Sequence, residues 1–472
     1  MYAAVDPSFR PRRSMMNSPK RFVYKCIAFL ASLWALAGGM GCSDDEPSNG
    51  TPPVVNHPPQ VEFTINALAV PKSTGTLLRH VTLSVDVEDQ DQDPVTVMWK
   101  VTRDGRDSGR LNPAQQGQPS INWEIPMATG RDTITVMAFD AEDTTTAGET
   151  IQVGTLKETA VRVASETWSV ADSPFIVHPT EDDFVIDERM RLTVEAGSEL
   201  LIDRAGLVIS VVGTLEANGT AQAPVRIHPN KRSPQPGDWQ GITANPSWDP
   251  PVIRLSHTHL TWAAEAVKGN TTAEVHLDGC RIERASAAAV LHASSGELRV
   301  ENSVITNNVN SGIKVWKIAT PLPLNVVITG DTITLNGDLT GETPYVDQAG
   351  VYISMPDRNA RSAINISGNE ISYNGFPGIH LVGACYPVIH DNVISANRSG
   401  TPGSDYGYNI KLENGFGAGG VADTIDAKGN FWGGDYPLDT GEALIKEMIR
   451  DIDDGAGIVV RVLVVPWLHA RP

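Results

Sequence analysis

Positive charge is in short supply. In 472 residues, 37 lysines and arginines stand against 56 aspartates and glutamates, a formal charge of −19 at pH 7. That balance argues against nucleic acid as a partner and against direct electrostatic docking on anionic lipid. Aromatic residues are few, at 6%, while 42 glycines and 32 prolines are present. Such a profile favours turn-rich β structure over helical bundles. Cysteine is limited to four residues, 26, 42, 280 and 385, none at the spacing of a zinc site or a redox pair. Long apolar runs are missing too. The stretch from Cys26 to Ala37 is too short for a spanning helix. Hydrophobic residues at 41% and charged residues at 20% exclude a disordered tail, and the length allows two or three domains.

The first 41 residues read as a targeting segment. Arg10, Arg12, Arg13, Lys20, Arg21 and Lys25 precede the apolar run, and the small residues Gly38, Gly39 and Gly41 lead to Cys42. A basic region, a short apolar region and small residues before a cleavage point are the parts of a secretory signal. Met15 and Met16 offer alternative starts that would shorten its long basic region. Ending on Cys42, the segment resembles a bacterial lipoprotein signal, although Gly39-Met40-Gly41 lacks the aliphatic residue that family prefers. The resemblance implies lipidation at Cys42 and, with Ser43 following, an outer-membrane destination. Removing residues 1–41 takes six bases and one acid, leaving −24. Residues 42–60, with Pro47, Pro52, Pro53, Pro58 and Pro59, read as a polar tether.

Residues 61–157 carry short alternating runs, Val81–Val87, Val95–Val101 and Thr133–Phe139, which predict a β-sandwich. With Trp99 as a core tryptophan and no cysteine pair, the segment resembles immunoglobulin-like or PKD-like surface modules. Glu88, Asp89, Asp91, Asp93 and Asp140 form an acidic group suited to Ca²⁺, the one cofactor these residues suggest. The alternative is that the carboxylates cap their own turns.

Residues 158–472 repeat. Thr258, Cys280, Ser303, Asp331, Asn369, Asn392 and Asn430 start successive units at intervals of 22, 23, 28, 38, 23 and 38. Five positions before each start stand Ile253, Val275, Leu298, Val326, Ile364, Pro387 and Ile425, an inward strand position stacked seven times. Asn308, Asn336, Asn374 and Asn397 recur five positions after four of the starts, where asparagine suits positive φ and its amide can bond the next copy. Three short strands per unit of about 22 residues predict a parallel β-helix of about nine or ten coils. Several coils then separate Cys280 from Cys385, which predicts two free thiols.

The segment Leu192–Gly197, Gly213–Thr220, Pro224–Ile227 and Gly237–Ile242, with Gly429-Asn-Phe-Trp-Gly-Gly434 near the end, resembles the right-handed parallel β-helices of the pectin-lyase type. The fold class expected is therefore all-β, a right-handed parallel β-helix behind an N-terminal β-sandwich. Open hydrophobic ends need covers. Trp168 to Arg191 is expected to supply one. A helix from Thr440 to Asp451, a strand from Ile458 to Pro466 and a plug at Trp467 supply the other.

Alternation puts Lys314, Tyr352, His380 and Lys411 on the outside of consecutive coils, followed by Trp316 and Glu413 two positions on. The insertions at 337–349 and 399–408 add Asp347 and Asp405. An outward cationic and aromatic row beside acidic loops suits an extended glycan, so these eight residues are the candidate ligand contacts. The function expected is that of a cell-envelope lipoprotein whose β-helix binds a polysaccharide or a surface partner. A polysaccharide lyase or glycosidase in the same groove is the alternative, with Lys314, His380 or Lys411 as the base. A purely structural envelope protein is a third. His257 and His259 read as turn and strand residues, and the glycines at 415–420 as a loop with no helix to hold phosphate.

Overall fold

The computed structural model describes residues 56–162, 164–180, 183–270, 272–293, 295–317, 322–337, 348–355, 363–383, 385–397, 408–413, 423–433, 441–446, 449–450 and 460–468. Cys42 and the targeting segment lie outside them, as do Asp347, Asp405 and the 415–420 loop. From Asn56 onward the chain is one compact unit.

Its first part is two sheets with a shared core. Thr96–Arg103, Gly130–Phe139 and Thr144–Lys157 lie antiparallel in one sheet, and His80–Ser84, Ser120–Glu124 and Arg110–Leu111 in the other. Alternation in Thr96–Arg103 buries Val97, Trp99 and Val101. Phe63 meets the Trp99 ring edge-on at 5.4 Å. The Val81–Val87 run divides at the buried Val85. His80–Ser84 joins the second sheet, and Asp86–Glu88 pairs with Gln60–Glu62.

The acidic group does not converge. Asp89 Oδ1 accepts the backbone N–H groups of Asp91 and Asp93, and Asp91 accepts the N–H of His57. Asp140 Oδ1 accepts from Glu142 and Asp143 in a separate turn. Glu88 and Asp93 face solvent. Among the described residues no three His, Cys, Asp or Glu side chains are placed to hold a metal ion. The calcium expectation for Glu88, Asp89, Asp91, Asp93 and Asp140 therefore gives way to turn capping, because short aspartate side chains reach their own backbone first.

The rest is a right-handed parallel β-helix. Its first face runs in register from Glu166–Trp168 to Val460–Leu463, its second from Phe175–Val177 to Val393–Ser395, and its third from Asp183–Ile186 to Ile449–Arg450. The stacked first-face positions pair as the spacing predicts, Ile253 with Val275, Val275 with Leu298, Leu298 with Val326 and Val326 with Ile364. One continuous apolar core fills the interior from Val161 to Trp467.

Two hydrogen-bonded ladders hold the turns. Asn308, Asn336, Asn374 and Asn397 each accept, through Oδ1, a hydrogen bond from a backbone N–H of the coil before. The unit starts form the second ladder, Ser303 to Asp331 to Asn369 to Asn392 to Asn430. Positive φ belongs to the residue before each ladder member, and not to the asparagine. His257, Gly279, Asn302, Gly330, Gly368, Asp391 and Gly429 line one turn; Trp262, Arg284, Asn307, Leu335, Tyr373 and Ala396 line the other. The left-handed residue swings the next side chain inward, where its amide spans the coils.

Two boundary expectations need correction. Trp168 to Arg191 is a full coil, not a cover: Glu166–Trp168, Phe175–Val177 and Asp183–Ile186 each pair with the coil that follows. The inward rings of Trp168, Phe175 and Phe184 pack on one another at 4.9 and 5.5 Å and stop the core there. At the other end, among the described residues, the helix covers Gly441–Lys446, and Ile449 is already in a third-face strand beside Ile410. Trp467 is buried as a plug.

The two parts share backbone hydrogen bonds. Thr144–Lys157 leaves the antiparallel sheet, and its last three residues pair in parallel with Phe175–Val177 of the first coil. Asn230 ties the other side, accepting from the N–H groups of Leu68 and Ala69 and donating to the Ala69 carbonyl.

Candidate functional site

The predicted row exists in register on the third face. Lys314 pairs with Tyr352, Tyr352 with His380 and His380 with Lys411. Strand pairing extends it upstream through Leu291 to Lys268, which the sequence reading missed because one apolar rung interrupts the polar pattern. From Lys268 to Lys411 the row crosses five strand spacings, about 24 Å.

The row is not uniformly solvated, which corrects the expectation of an open outward line. Lys314 is half-buried and Trp316 is 53% exposed, but Tyr352 and Lys411 are buried and His380 is 1% exposed. Side chains one strand spacing apart cover one another. The Lys314 ammonium lies 5.2 Å from the centre of the Tyr352 ring and 5.9 Å from that of Trp316. The Tyr352 and His380 rings meet edge to face at 5.2 Å.

Beneath them is an ionic cluster. His380 Nε2 is 2.9 Å from Glu413 Oε2, and Lys411 Nζ is 3.4 Å from Glu413 Oε1. The hydrogen bond with His380 holds the Glu413 carboxyl down at about 2, against the opposing effect of burial and with help from the Lys411 ammonium. Glu413 is therefore a carboxylate at any ordinary pH. It fixes the His380 ring, as carboxylates do for histidines that transfer protons.

The row thus has two halves. Lys314 and Trp316 offer a cation and an exposed indole side by side. Tyr352, His380 and Lys411, all buried, form a polar cluster with the half-buried Glu413. Glu413, expected as a ligand contact two positions along the strand, is the group that connects His380 to Lys411. Ser354 and Val382, between Trp316 and Glu413 in the pairing, are half-buried.

Other singled-out residues lie elsewhere. Cys280 and Cys385 are free and buried, and burial pushes the Cys280 thiol up to about 12. His259 stands on the second face between Arg226 and Arg281, and His257 in the turn before Thr258. His292, which the sequence gave no reason to select, points into the core above Gly269.

A protein family described as a right handed beta helix region matches residues 265–421, the stretch that carries Lys268 through Glu413. No curated protein and no solved structure matches the chain.

Proposed function

We propose that this chain is a lipid-anchored cell-envelope protein whose β-helix binds an extended polysaccharide along the third face. The observation that carries the reading is the accessible half of the in-register row, where Lys268 and Lys314 are half-buried and the Lys314 ammonium and the exposed Trp316 stand side by side. Sugar rings stack on aromatic faces while ammonium groups fix hydroxyl or carboxylate positions. Strand repetition supplies such contacts at a constant interval, which suits a polymer better than a compact ligand. The anchor would be Cys42. Its acylation is tested by the mass of the mature N-terminus and by release of C42A into the soluble fraction.

The binding test is retention on immobilised acidic and neutral polysaccharides, with K314A and W316A as the variants. Loss of retention in both supports the row; full retention removes it.

One observation favours a second reading. A buried histidine fixed by a carboxylate and flanked by a lysine and a tyrosine is a constellation for moving protons. In a lyase, His380 would take the proton beside a uronate carboxylate while Lys411 or Lys314 offsets the charge. New reducing ends or unsaturated products from any polymer, absent in H380A, would make this an enzyme. Binding without shortening leaves the first reading.

A further inference from the structure

The two turn columns obey the same conformational rule with different residues. Six of the seven left-handed positions in the first are Gly, Asn or Asp, the residues that pay least for positive φ. The second column places Trp262 and Arg284 on adjacent coils, at φ of +64° and +62°. Folding alone asks for neither side chain. The guanidinium of the exposed Arg284 lies over the ring of the half-buried Trp262, at 4.5 Å from its centre.

Beside this stack the second face carries a line of cations. Arg226 pairs with His259 and His259 with Arg281 on adjacent strands, so the two arginines are two strand spacings apart, about 10 Å. Both are exposed. The carboxylate in line with Arg226, Glu199, is already engaged by His228 at 3.0 Å and Gln152 at 2.9 Å. Among the described residues no ion pair holds Arg226, and Arg281 shares only Glu283, at 2.8 Å. On a chain of charge −19 this is a local reversal of sign.

We propose that Arg226, His259 and Arg281, with Arg284 stacked on Trp262, form a recognition strip for a linear acidic polysaccharide lying along the β-helix axis. The strip is on a different face from the Lys314 row and stands or falls separately. Guanidinium pairs read carboxylate or sulfate groups in two dimensions, and the indole–guanidinium stack offers a face to a sugar ring. The axial direction follows because the contacts repeat from strand to strand.

His259 gives the strip a signature. Burial first, and then the fields of Arg226 and Arg281, lower its pKa, against Glu283, which raises it. An anion bridging the two arginines cancels those fields, so binding takes up a proton at His259 and tightens as pH falls.

The test measures binding of the purified chain to heparin and to polygalacturonate. A neutral glucan, double-stranded DNA and phosphatidylglycerol vesicles serve as comparisons. The doubly substituted R226Q/R281Q should lose on the order of tenfold in affinity for the two acidic polysaccharides. Wild-type affinity should rise between pH 7.5 and pH 5.5, and H259N should abolish that rise. Both arginines are exposed, and an unchanged melting temperature shows that the variant is folded. Three results overturn the strip: undiminished binding by R226Q/R281Q, a His259 pKa that bound polysaccharide leaves unmoved, or equal binding of DNA or vesicles. Loss in K314A/W316A alone would overturn it while supporting the third-face reading. No binding to any polysaccharide would remove both.

Discussion

Replacing Asp331 with asparagine should stabilise this protein, and by an amount that depends on pH. Asp331 is 2% exposed and occupies a ladder in which the next three members are asparagines. Its Oδ1 accepts the Ser303 N–H at 2.7 Å, but its Oδ2 has no partner. Each following asparagine sends its Nδ2 to the carbonyl three residues before the previous ladder member, Ile328, Ile366 and Ile389. The equivalent acceptor for position 331 is the Val300 carbonyl. Burial pushes the Asp331 carboxyl up to about 8, and the charges of Glu301 and Asp278 add to this against the bonds from Ser303 and Thr329. A raised folded pKa means stability that is full below the unfolded value, near 4, and is lost as pH rises towards 8. At pH 7 the accumulated loss is about 4 kcal/mol. D331N removes it and supplies the missing N–H donor. Urea midpoints at pH 6.5 and pH 8 read the effect. Over that interval the wild type should lose about 1.5 kcal/mol that D331N does not. A variant no more stable than wild type at pH 7, with the same pH slope, would refute a neutral carboxyl in the ladder.

His292 predicts the opposite slope. Buried in the core and bonded to the Ser295 carbonyl at 3.0 Å, its pKa is lowered by burial to about 4. A depressed folded pKa means stability lost as pH falls from about 6.5 to 4, amounting to about 3 kcal/mol, so H292L should show a shallower acid limb in melting temperature. An unchanged limb would mean that the imidazole charges in place. The Asp331 and His292 slopes oppose each other below pH 6.5, which is why the first experiment is set above it. N374A should cost about 2–4 kcal/mol in urea unfolding, because it orphans the buried Asn336 N–H and the Ile333 carbonyl. A loss under 1 kcal/mol would make the asparagine ladder dispensable.

The register of the coils was legible because inward positions must be apolar on every strand and the turns repeat the same chemistry. Val275, Leu298 and Val326 align whatever lies in the insertions between them. Positive φ was placed one residue late because asparagine is suited both to that conformation and to the ladder bond, and only the backbone separates the two roles. Alternation placed Tyr352 and His380 outside the core correctly but says nothing about what covers an outward side chain. Their burial arises from contacts between coils 28 to 38 residues apart. The Trp168 coil was unreadable as a coil because its apolar strands are only three or four residues long. Arg226, His259 and Arg281 come from units 33 and 22 residues apart, so their alignment emerges only with the pairing.

The shared strand Thr144–Lys157 also decides how the protein behaves as a particle. A stack of parallel strands that ends on bare N–H and C=O groups is a growing end, able to accept the last coil of another copy and extend into a fibre. Here Thr155–Lys157 already satisfies the first strand of the second face and then turns into an antiparallel sheet that cannot propagate the stack. The N-terminal part in this sense closes the growing end of the second face, while the first and third faces begin at Glu166–Trp168 and Asp183–Ile186.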